Sequence, residues 1–336
     1  MDLAHLWFWI IGILFIGYFV LDGFDFGVGM SLPFLGRDDV GRRQVINTIG
    51  PVWDLNETWL IVAGACLFAA FPQWYATLFS GFYLPLLLIL VTLILRGVSF
   101  EYRHQRDSLR WKAGFDTMIV VGSAVPAFLW GVAFANIVHG VPLDAGHDFT
   151  GSLLTLLNPY ALLGGLTTLL LFFVNGLLFV ALKTDGQVRE DARRLAFRVG
   201  VLALVVAAGF LVWTVSAHLS AAVVLFAVVA AVCLLVSIVC NLRGVEGWAF
   251  GFGAVVVMAA VLTLWCALYP AVMPASNDAA HSLTIENASS NLYTLQVMSW
   301  AALIFLPLVL LYQGWTYWIF RRRVTRSHIE NAAAAH

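Results

Sequence analysis

Long apolar stretches, separated by short polar segments, follow one another along almost the whole chain. A membrane-spanning helix needs about 20 mainly apolar residues, because the hydrocarbon core is about 30 Å thick and each residue rises about 1.5 Å. The stretches that meet this length are 5–33, 51–71, 74–100, 114–140, 155–183, 194–216, 219–242, 247–269 and 295–320. They lack the alternating ten-residue pattern of membrane β-strands. The pattern therefore predicts an all-α polytopic membrane protein with nine transmembrane helices, forming a single membrane domain over residues 1–336.

The cationic residues lie in alternate connections between these stretches. All 18 Lys and Arg residues fall in or beside the links after the first, third, fifth and seventh stretches, or follow the ninth. In this assignment Arg96 is counted at the flank of the third stretch. Cation-rich connections stay on the cytoplasmic side of a membrane. The distribution predicts that the N-terminus is outside and the C-terminus cytoplasmic, and one span more or fewer would scatter the cations over both sides.

The composition excludes several other classes of protein. Hydrophobic residues make up 61% of the chain and charged residues 11%, whereas a soluble domain is about a quarter charged. The formal net charge of -1 leaves no basic excess for binding nucleic acid. The apolar content excludes disorder, and four cysteines in 336 residues do not form a disulfide scaffold.

Four carboxylates lie within or just inside the apolar stretches. Asp22 and Asp25 are three residues apart, which places them on one face of the first predicted helix. Asp54 and Glu57 have the same spacing at the start of the second helix. Both pairs are expected at a similar depth near the cytoplasmic leaflet. A charge inside a span costs about 2.5 kcal/mol or more, so these acids are candidate functional residues.

Two interpretations of the acids stay open. A desolvated carboxyl can hold or pass a proton near neutral pH, so the four acids predict a proton path from the cytoplasm. The alternative is structural, because acids near the start of a helix beginning at Pro51 interact favourably with its dipole. In that case Asp22 and Asp25 would form hydrogen bonds between helices. Three arginines could also pair with the acids: Arg42, Arg43 and Arg96.

The histidines and cysteines form no recognisable metal or haem site. The histidines lie near the predicted boundaries or in connections, and His5, His139 and His218 are the candidates for a haem ligand. The cysteines have no C-x-x-C spacing and are expected to pack as small hydrophobic side chains. The sequence predicts no metal site in this chain and leaves cofactor-binding residues unknown.

Glycine spacing predicts where helices approach closely. Gly23 and Gly27 are four residues apart, and so are Gly247 and Gly251. Small residues at this spacing let two helix backbones come near each other in a membrane. These glycines therefore indicate a packed bundle rather than chemistry.

Several motifs together carry a family resemblance. The two most distinctive are Leu-Asp-Gly-Phe-Asp-Phe-Gly-Val-Gly, within 17–29, and Gly-Pro-Val-Trp-Asp-Leu-Asn-Glu-Thr-Trp, within 47–61. Further matching stretches are 36–43, 67–72, 79–83, 131–136, 157–160, 273–276 and 311–318. Together they resemble subunit II of the cytochrome bd quinol oxidases over nearly the whole chain. The commonest form of the family has glycine where this chain has Leu55.

The resemblance implies a heterodimer with a homologous subunit I that carries haems b558, b595 and d and the quinol site. This chain would be the haem-free or haem-poor subunit, with two four-helix bundles plus one peripheral helix. The complex would oxidise quinol on the outer side and reduce O2 to water with protons from the cytoplasm. Further expected partners are a small single-helix accessory subunit, lipid and quinone, and the expected location is a bacterial or archaeal cytoplasmic (inner) membrane.

The resemblance also implies roles for individual residues. Trp53 and Asp54 match the family's tryptophan–aspartate pair, in which the aspartate is associated with a proton route. Asp25 matches another acidic position of the family, and Trp53 and Asn56 are expected to support the acids. Two alternatives remain. A proton-coupled secondary transporter would use paired carboxylates, although the sequence has no internal repeat, and a structural scaffold subunit would transfer no proton.

Overall fold

The computed structural model describes residues 2–334, most of which are helical. The helices are α1 (Leu3–Leu35), α2 (Asp39–Ile46), α3 (Trp53–Ala70), α4 (Pro72–Gly81), α5 (Tyr83–Tyr102), α6 (Leu109–His139), α7 (Leu153–Leu156), α8 (Pro159–Lys183), α9 (Gly186–Ala217), α10 (Ala221–Leu242), α11 (Glu246–Leu268), α12 (Ile285–Ala288), α13 (Leu292–Ile319) and α14 (Arg326–Ala334). Short 3₁₀ helices cover Arg103–Gln105 and Ala279–His281. One small antiparallel sheet joins β1 (Ala271–Met273) to β2 (Leu283–Thr284). The predicted all-α fold is confirmed.

Eight helices in the described part of the chain are long and apolar enough to cross a membrane: α1, α5 with the turn after it, α6, α8, α9, α10, α11 and α13. The predicted stretch 51–71 corresponds to α3, which has 18 residues and contains Asp54 and Glu57 in its first two turns. The prediction of one continuous helix over 74–100 is wrong, because the helix is interrupted at Phe82. Pro85 has no N–H to donate to the carbonyl of Gly81, which removes one hydrogen bond of the helix at this point. The nine-span count and the orientation remain predictions.

Helix α1 is central in the packing of the described helices. It contacts α3, α6, α8 and α11, and most of its length is buried. One group of helices is formed around it by α3, α5 and α6, and a second group contains α8, α9, α10 and α11. Helix α13 lies at the periphery against α3 and α1, and it buries only Leu295, Gln313 and Thr316. This packing is consistent with the predicted two bundles and a peripheral helix.

The two helix groups approach each other closely where α1 crosses α8. A Cβ atom on Gly27 would lie 2.0 Å from the carbonyl oxygen of Phe172, and one on Gly176 would lie 2.4 Å from the Cα atom of Gly27. Glycine is needed on both helices because the neighbouring atoms belong to the backbone. At Gly247 and Gly251, in contrast, a Cβ would meet nothing within 4 Å. The predicted close approach at that second glycine pair is wrong.

The cation-bearing connections meet at one end of the helices. Arg37, after α1, pairs with Asp191 near the start of α9 at 2.6 Å. Arg42, in α2, pairs with Asp116 near the start of α6 at 2.9 Å. We call the end of the molecule that contains these ion pairs the cationic end. The connections that the sequence groups together therefore lie together in space.

The segment after α13 folds back onto the cationic end. The Nζ atom of Lys183, the last residue of α8, donates to the carbonyl oxygens of Phe320 and Arg322. The backbone N–H of Val324 donates to the carbonyl of Lys183 at 2.7 Å. The Nε2 atom of Gln44, in α2, donates to the carbonyl of Val324 at 2.9 Å. The peripheral helix α13 is thus tied to α2 and α8 through the chain that follows it.

An exposed ion pair makes this attachment sensitive to acid. Arg326 donates from Nη2 to Asp38 Oδ2 at 2.6 Å, and hydrogen bonds from Arg326 and the backbone of Gly41 lower the pKa of Asp38. A carboxyl whose folded-state pKa is lowered contributes stability above its ordinary pKa and loses it as the pH falls through the folded-state value. We therefore expect the amides of residues 324–330 to lose protection below about pH 4.

Hydrogen–deuterium exchange between neutral pH and about pH 3, corrected for the intrinsic rate at each pH, measures this loss. Asp38→Asn should remove most of the pH dependence, because the charge that ties Arg326 to α2 is then absent, whereas Glu330, the other carboxylate paired with Arg326, lies within α14 itself. The control is Asp107→Asn, which changes a fully exposed carboxylate in another connection. Equal pH profiles for the Asp38 variant and the unmodified chain would contradict the prediction.

Candidate buried carboxylate site

Arg96 is the centre of a charged cluster inside the first helix group. It lies in the last third of α5, and none of its surface is exposed. Its Nη2 atom donates to Asp22 Oδ1 at 2.6 Å and to Glu57 Oε2 at 3.1 Å. Its guanidinium group also lies over the ring of Phe26, 4.4 Å from the centroid. A charge this deep is tolerated only when it is paired, so Arg96 and its two carboxylates form one unit.

Asn56 joins a second set of polar groups next to this unit. Its Nδ2 atom donates to Asp25 Oδ2 at 2.8 Å and to the carbonyl of Leu21 at 3.4 Å. Its Oδ1 atom accepts from Gln313 Nε2 at 2.9 Å and from the hydroxyl of Tyr317 at 2.8 Å. Asn56 and Asp25 are fully buried. The Asn56 amide therefore connects α1, α3 and α13, and its donors and acceptor all have partners.

The acids of α1 share a polar stripe with Tyr18. Tyr18, Asp22 and Asp25 lie at positions i, i+4 and i+7, so they project from one face of the helix. All three are fully buried. The hydroxyl of Tyr18 accepts a hydrogen bond from Trp130 Nε1, in α6, at 3.1 Å. The stripe is thus enclosed by neighbouring helices.

Several polar atoms of the cluster are buried without a hydrogen-bond partner among the described residues. They are Asp22 Oδ2, Asp25 Oδ1, and the Nε and Nη1 atoms of Arg96. Buried polar groups are almost always paired in proteins, so such atoms call for an explanation. Two free carboxylate oxygens can each accept a proton, and a guanidinium close by stabilises whichever carboxylate stays ionised. The arrangement can therefore hold a proton in more than one place.

The acids become progressively more buried from α3 to α1. Asp54 is exposed in the first turn of α3. The side chain of Glu57, one turn later, is 22% exposed and already pairs with Arg96. Trp53 packs its ring against Phe100, with centroids 5.2 Å apart, and so fixes the start of α3 against α5. The two acids of α1 lie at the buried end of this order.

The structure brings together three of the four acids predicted as a group. Asp22, Asp25 and Glu57 belong to the cluster, whereas Asp54 lies at its exposed edge. The assignment of Arg96 to the flank of a connection is wrong, because its side chain is buried inside α5. The position of Arg96 as the single cation inside the stretch 74–100 could have indicated that it is buried. Gln313 was missed, although an amide far inside the last apolar stretch could have indicated it.

The three histidines considered as haem ligands lie near the opposite end of the helices from this cluster. His5 contacts Asp2 at 2.8 Å, and the ring of His139, the last residue of α6, packs near that of Tyr160. His218 follows α9, and burial together with the nearby His139 lowers its pKa. Within residues 2–334, no group of three or more His, Cys, Asp or Glu side chains is arranged to hold a metal ion. The four cysteines are free and half-buried.

The fold and the cluster define a polytopic helical membrane protein with a buried, charge-paired carboxylate site near its cationic end. The sequence model of the family "cytochrome bd terminal oxidase subunit II" matches residues 3–320. The chain therefore belongs to the cytochrome bd terminal oxidase subunit II family.

Individual relatives resemble the chain over nearly its full length. Cytochrome bd ubiquinol oxidase subunit 2 of Bacillus subtilis (strain 168) is 40% identical over 335 residues, covering 96% of this chain and 97% of that protein. Cytochrome bd-I ubiquinol oxidase subunit 2 of Escherichia coli (strain K12) is 36% identical over 366 aligned positions, covering 98% of this chain and 97% of that protein. A chain in the structure of the bd oxidase from Geobacillus thermodenitrificans superposes with a TM-score of 0.76 at 17% identity, covering 95% of this chain and 99% of that one. This last likeness supports the fold.

Proposed function

We propose that the chain is the haem-free or haem-poor subunit II of a cytochrome bd-type terminal oxidase. The observation that carries the proposal is the family match over residues 3–320. The relatives are subunits of ubiquinol oxidases, so the complex would oxidise a quinol and reduce O2 to water in aerobic respiration. Subunit I would be the partner and would carry haems b558, b595 and d and the quinol site. The complex would lie in a bacterial or archaeal cytoplasmic membrane.

The proposed topology has nine spans, with α3 as the second, in one membrane domain. The N-terminus is outside and the C-terminus is in the cytoplasm. Convergence of the cation-bearing connections at one end supports this orientation, because such connections stay cytoplasmic. The cationic end, and with it Asp54, then faces the cytoplasm.

An apolar groove supports the expectation that lipid or quinone contacts this subunit. Helices α1, α3 and α13 enclose about 310 Å³ lined by apolar side chains, among them Trp7, Leu14, Trp59, Cys66 and Phe305. An acyl or isoprenoid chain is the matching occupant, because the lining offers apolar contact and little hydrogen bonding. The exposed apolar surface of α13 is available to subunit I or to a small single-helix accessory subunit.

The second part of the proposal is a proton path from the cytoplasm through this subunit. A proton is taken up at Asp54, passes to Glu57 and reaches Asp22 and Asp25, with Trp53 and Asn56 holding the acids in place. The increase in burial along these residues supports this order. Arg96 contacts Glu57 and Asp22 through one nitrogen. A proton that neutralises one carboxylate therefore leaves Arg96 paired with the other, which keeps each state electrostatically tolerable.

Replacing Asp54 with asparagine tests the path. We expect at least about a ten-fold fall in quinol-driven O2 consumption and in proton uptake, since a positioned acid or base contributes at least that much. The haem content should stay unchanged, because Asp54 is exposed and has no ion pair among the described residues. Turnover and proton uptake are measured with the purified complex in proteoliposomes. Asp107→Asn, at a fully exposed carboxylate, is the matched control.

A structural scaffold is the competing function, and the ion pairs of Arg96 favour it because they stabilise the subunit without passing a proton. Unchanged turnover and proton uptake in Asp54→Asn, with full haem content, would support the scaffold. The visible spectrum of the purified complex tests the oxidase assignment itself. A copurifying partner with a haem d absorption band supports it, whereas a chain that is active alone contradicts it.

A further inference from the structure

The peripheral helix α13 reaches the carboxylate site through two side chains. Gln313 is only 6% exposed, although most of the helix surface is open. Tyr317 lies one turn later on the same face. Both donate hydrogen bonds to a single acceptor, Asn56 Oδ1, at 2.9 and 2.8 Å. Two helix turns of α13 thus converge on one amide oxygen of α3.

These two donors determine which way the amide of Asn56 points. With Oδ1 held by Gln313 and Tyr317, Nδ2 must face Asp25 Oδ2, at 2.8 Å. Rotating the amide by half a turn would bring its oxygen against the carboxylate and its N–H groups against the two donors. A buried acceptor that faces another acceptor, or a donor that faces another donor, forms no hydrogen bond, and its desolvation is then not compensated. The orientation is therefore strongly favoured while α13 stays in place.

Gln313 is itself oriented by a tryptophan. Trp59 donates from Nε1 to Gln313 Oε1 at 3.4 Å, which leaves the Nε2 group of Gln313 directed at Asn56. The chain of hydrogen bonds runs from Trp59 through Gln313 and Asn56 to Asp25. Every donor in this series of hydrogen bonds has an acceptor. A shift of α13 would therefore move the Asn56 amide and, with it, the hydrogen bond to Asp25 on α1.

We propose that Gln313 and Tyr317 are positioning residues for Asp25, and that the placement of α13 controls how this acid carries a proton. The inference rests on the proposed function, because Asp25 is one of the acids of the proton path. The charged and titratable groups around Asp25 are Asp22 of α1, Glu57 of α3, Arg96 of α5 and Tyr317 of α13. Helix α13 buries only three of its residues, so a neighbour that docks on its outer surface reaches the site through Tyr317 and Gln313.

The test uses Tyr317→Phe and Gln313→Met in the whole complex. Reaction-induced infrared difference spectra, normalised to haem content, monitor the carboxyl band of Asp25, which is assigned by its disappearance in Asp25→Asn. We expect both variants to shift this band and to lower turnover about ten-fold, because each removes one buried hydrogen bond to Asn56 Oδ1. Tyr312→Phe is the control, because Tyr312 is 53% exposed on the same helix, and it should shift nothing.

A coupling measurement separates positioning from general loss of structure. In an Asn56→Ala background, Tyr317→Phe should have no further effect on the Asp25 band, because the connection is already broken. If Asp25→Asn keeps normal turnover and proton uptake, the proposed proton path itself fails. If Asp25→Asn is impaired but both α13 variants keep the band and the turnover of the unmodified complex, the positioning inference alone is overturned.

Discussion

Replacing Arg96 with methionine should destabilise the folded subunit by about 3–5 kcal/mol, the usual cost of removing one partner from a buried ion pair. Methionine has an unbranched side chain that can occupy much of the arginine's space, so the loss is mainly electrostatic. The carboxylates of Asp22 and Glu57 are left inside the helix group without their cation, from which they now lie 2.6 and 3.1 Å. Thermal unfolding of the purified complex and the yield of assembled protein measure the effect.

Two comparisons establish that the ion pairs cause this loss. Arg110→Met removes an exposed cation at the start of α6 and should leave the unfolding temperature unchanged. Adding Asp22→Asn and Glu57→Gln to the Arg96 variant should restore much of the stability, because the buried carboxylates are then neutral amides. An Arg96 variant as stable as the Arg110 variant would show that the cluster is not held by these pairs.

Adding one methyl group at Gly27 should also be strongly destabilising. The methyl carbon of Gly27→Ala would lie 2.0 Å from the carbonyl oxygen of Phe172 and 2.7 Å from the Cα atom of Gly176. Both neighbours are backbone atoms of α8, so α1 and α8 must separate. We expect a loss of about 3 kcal/mol in the free energy of unfolding, at the upper end for overpacking. Thermal or denaturant unfolding in detergent measures it.

Gly251→Ala is the matched control, since a Cβ atom at Gly251 meets nothing within 4 Å. It should leave stability unchanged or raise it by up to about 1 kcal/mol, because alanine favours a helix more than glycine does. Similar losses in the two variants would mean that glycine flexibility, rather than close crossing, explains the effect of Gly27. Comparing the two variants is informative because Gly27 and Gly251 each lie four residues after another glycine, yet only Gly27 is at a close helix crossing.

The sequence was sufficient for the helical membrane fold and for most of the acids of the cluster. Apolar length is a local property, so the stretches matched α1, α6, α8, α10 and α11 closely. The apolar length failed at Phe82, which separates α4 from α5 within one uninterrupted apolar stretch, three residues before Pro85, whose missing N–H weakens the helix there. Asp22, Asp25 and Glu57 were found because an ionisable group inside an apolar stretch is costly enough to be informative.

Other features depend on which helix covers which face, and residue spacing within one helix does not contain that information. The three-residue spacing was enough to place Asp22 and Asp25 on one helix face. It did not show which arginine pairs with Asp22: in the folded chain this is Arg96, whereas Arg42 pairs with Asp116. Packing also left Asp54 at the exposed edge and brought Gln313 to Asn56, 257 residues away along the chain. The apolar residues around a polar side chain in the sequence show that burying it costs free energy. The partner that offsets this cost comes from a distant segment, so only the packed arrangement of the helices identifies it.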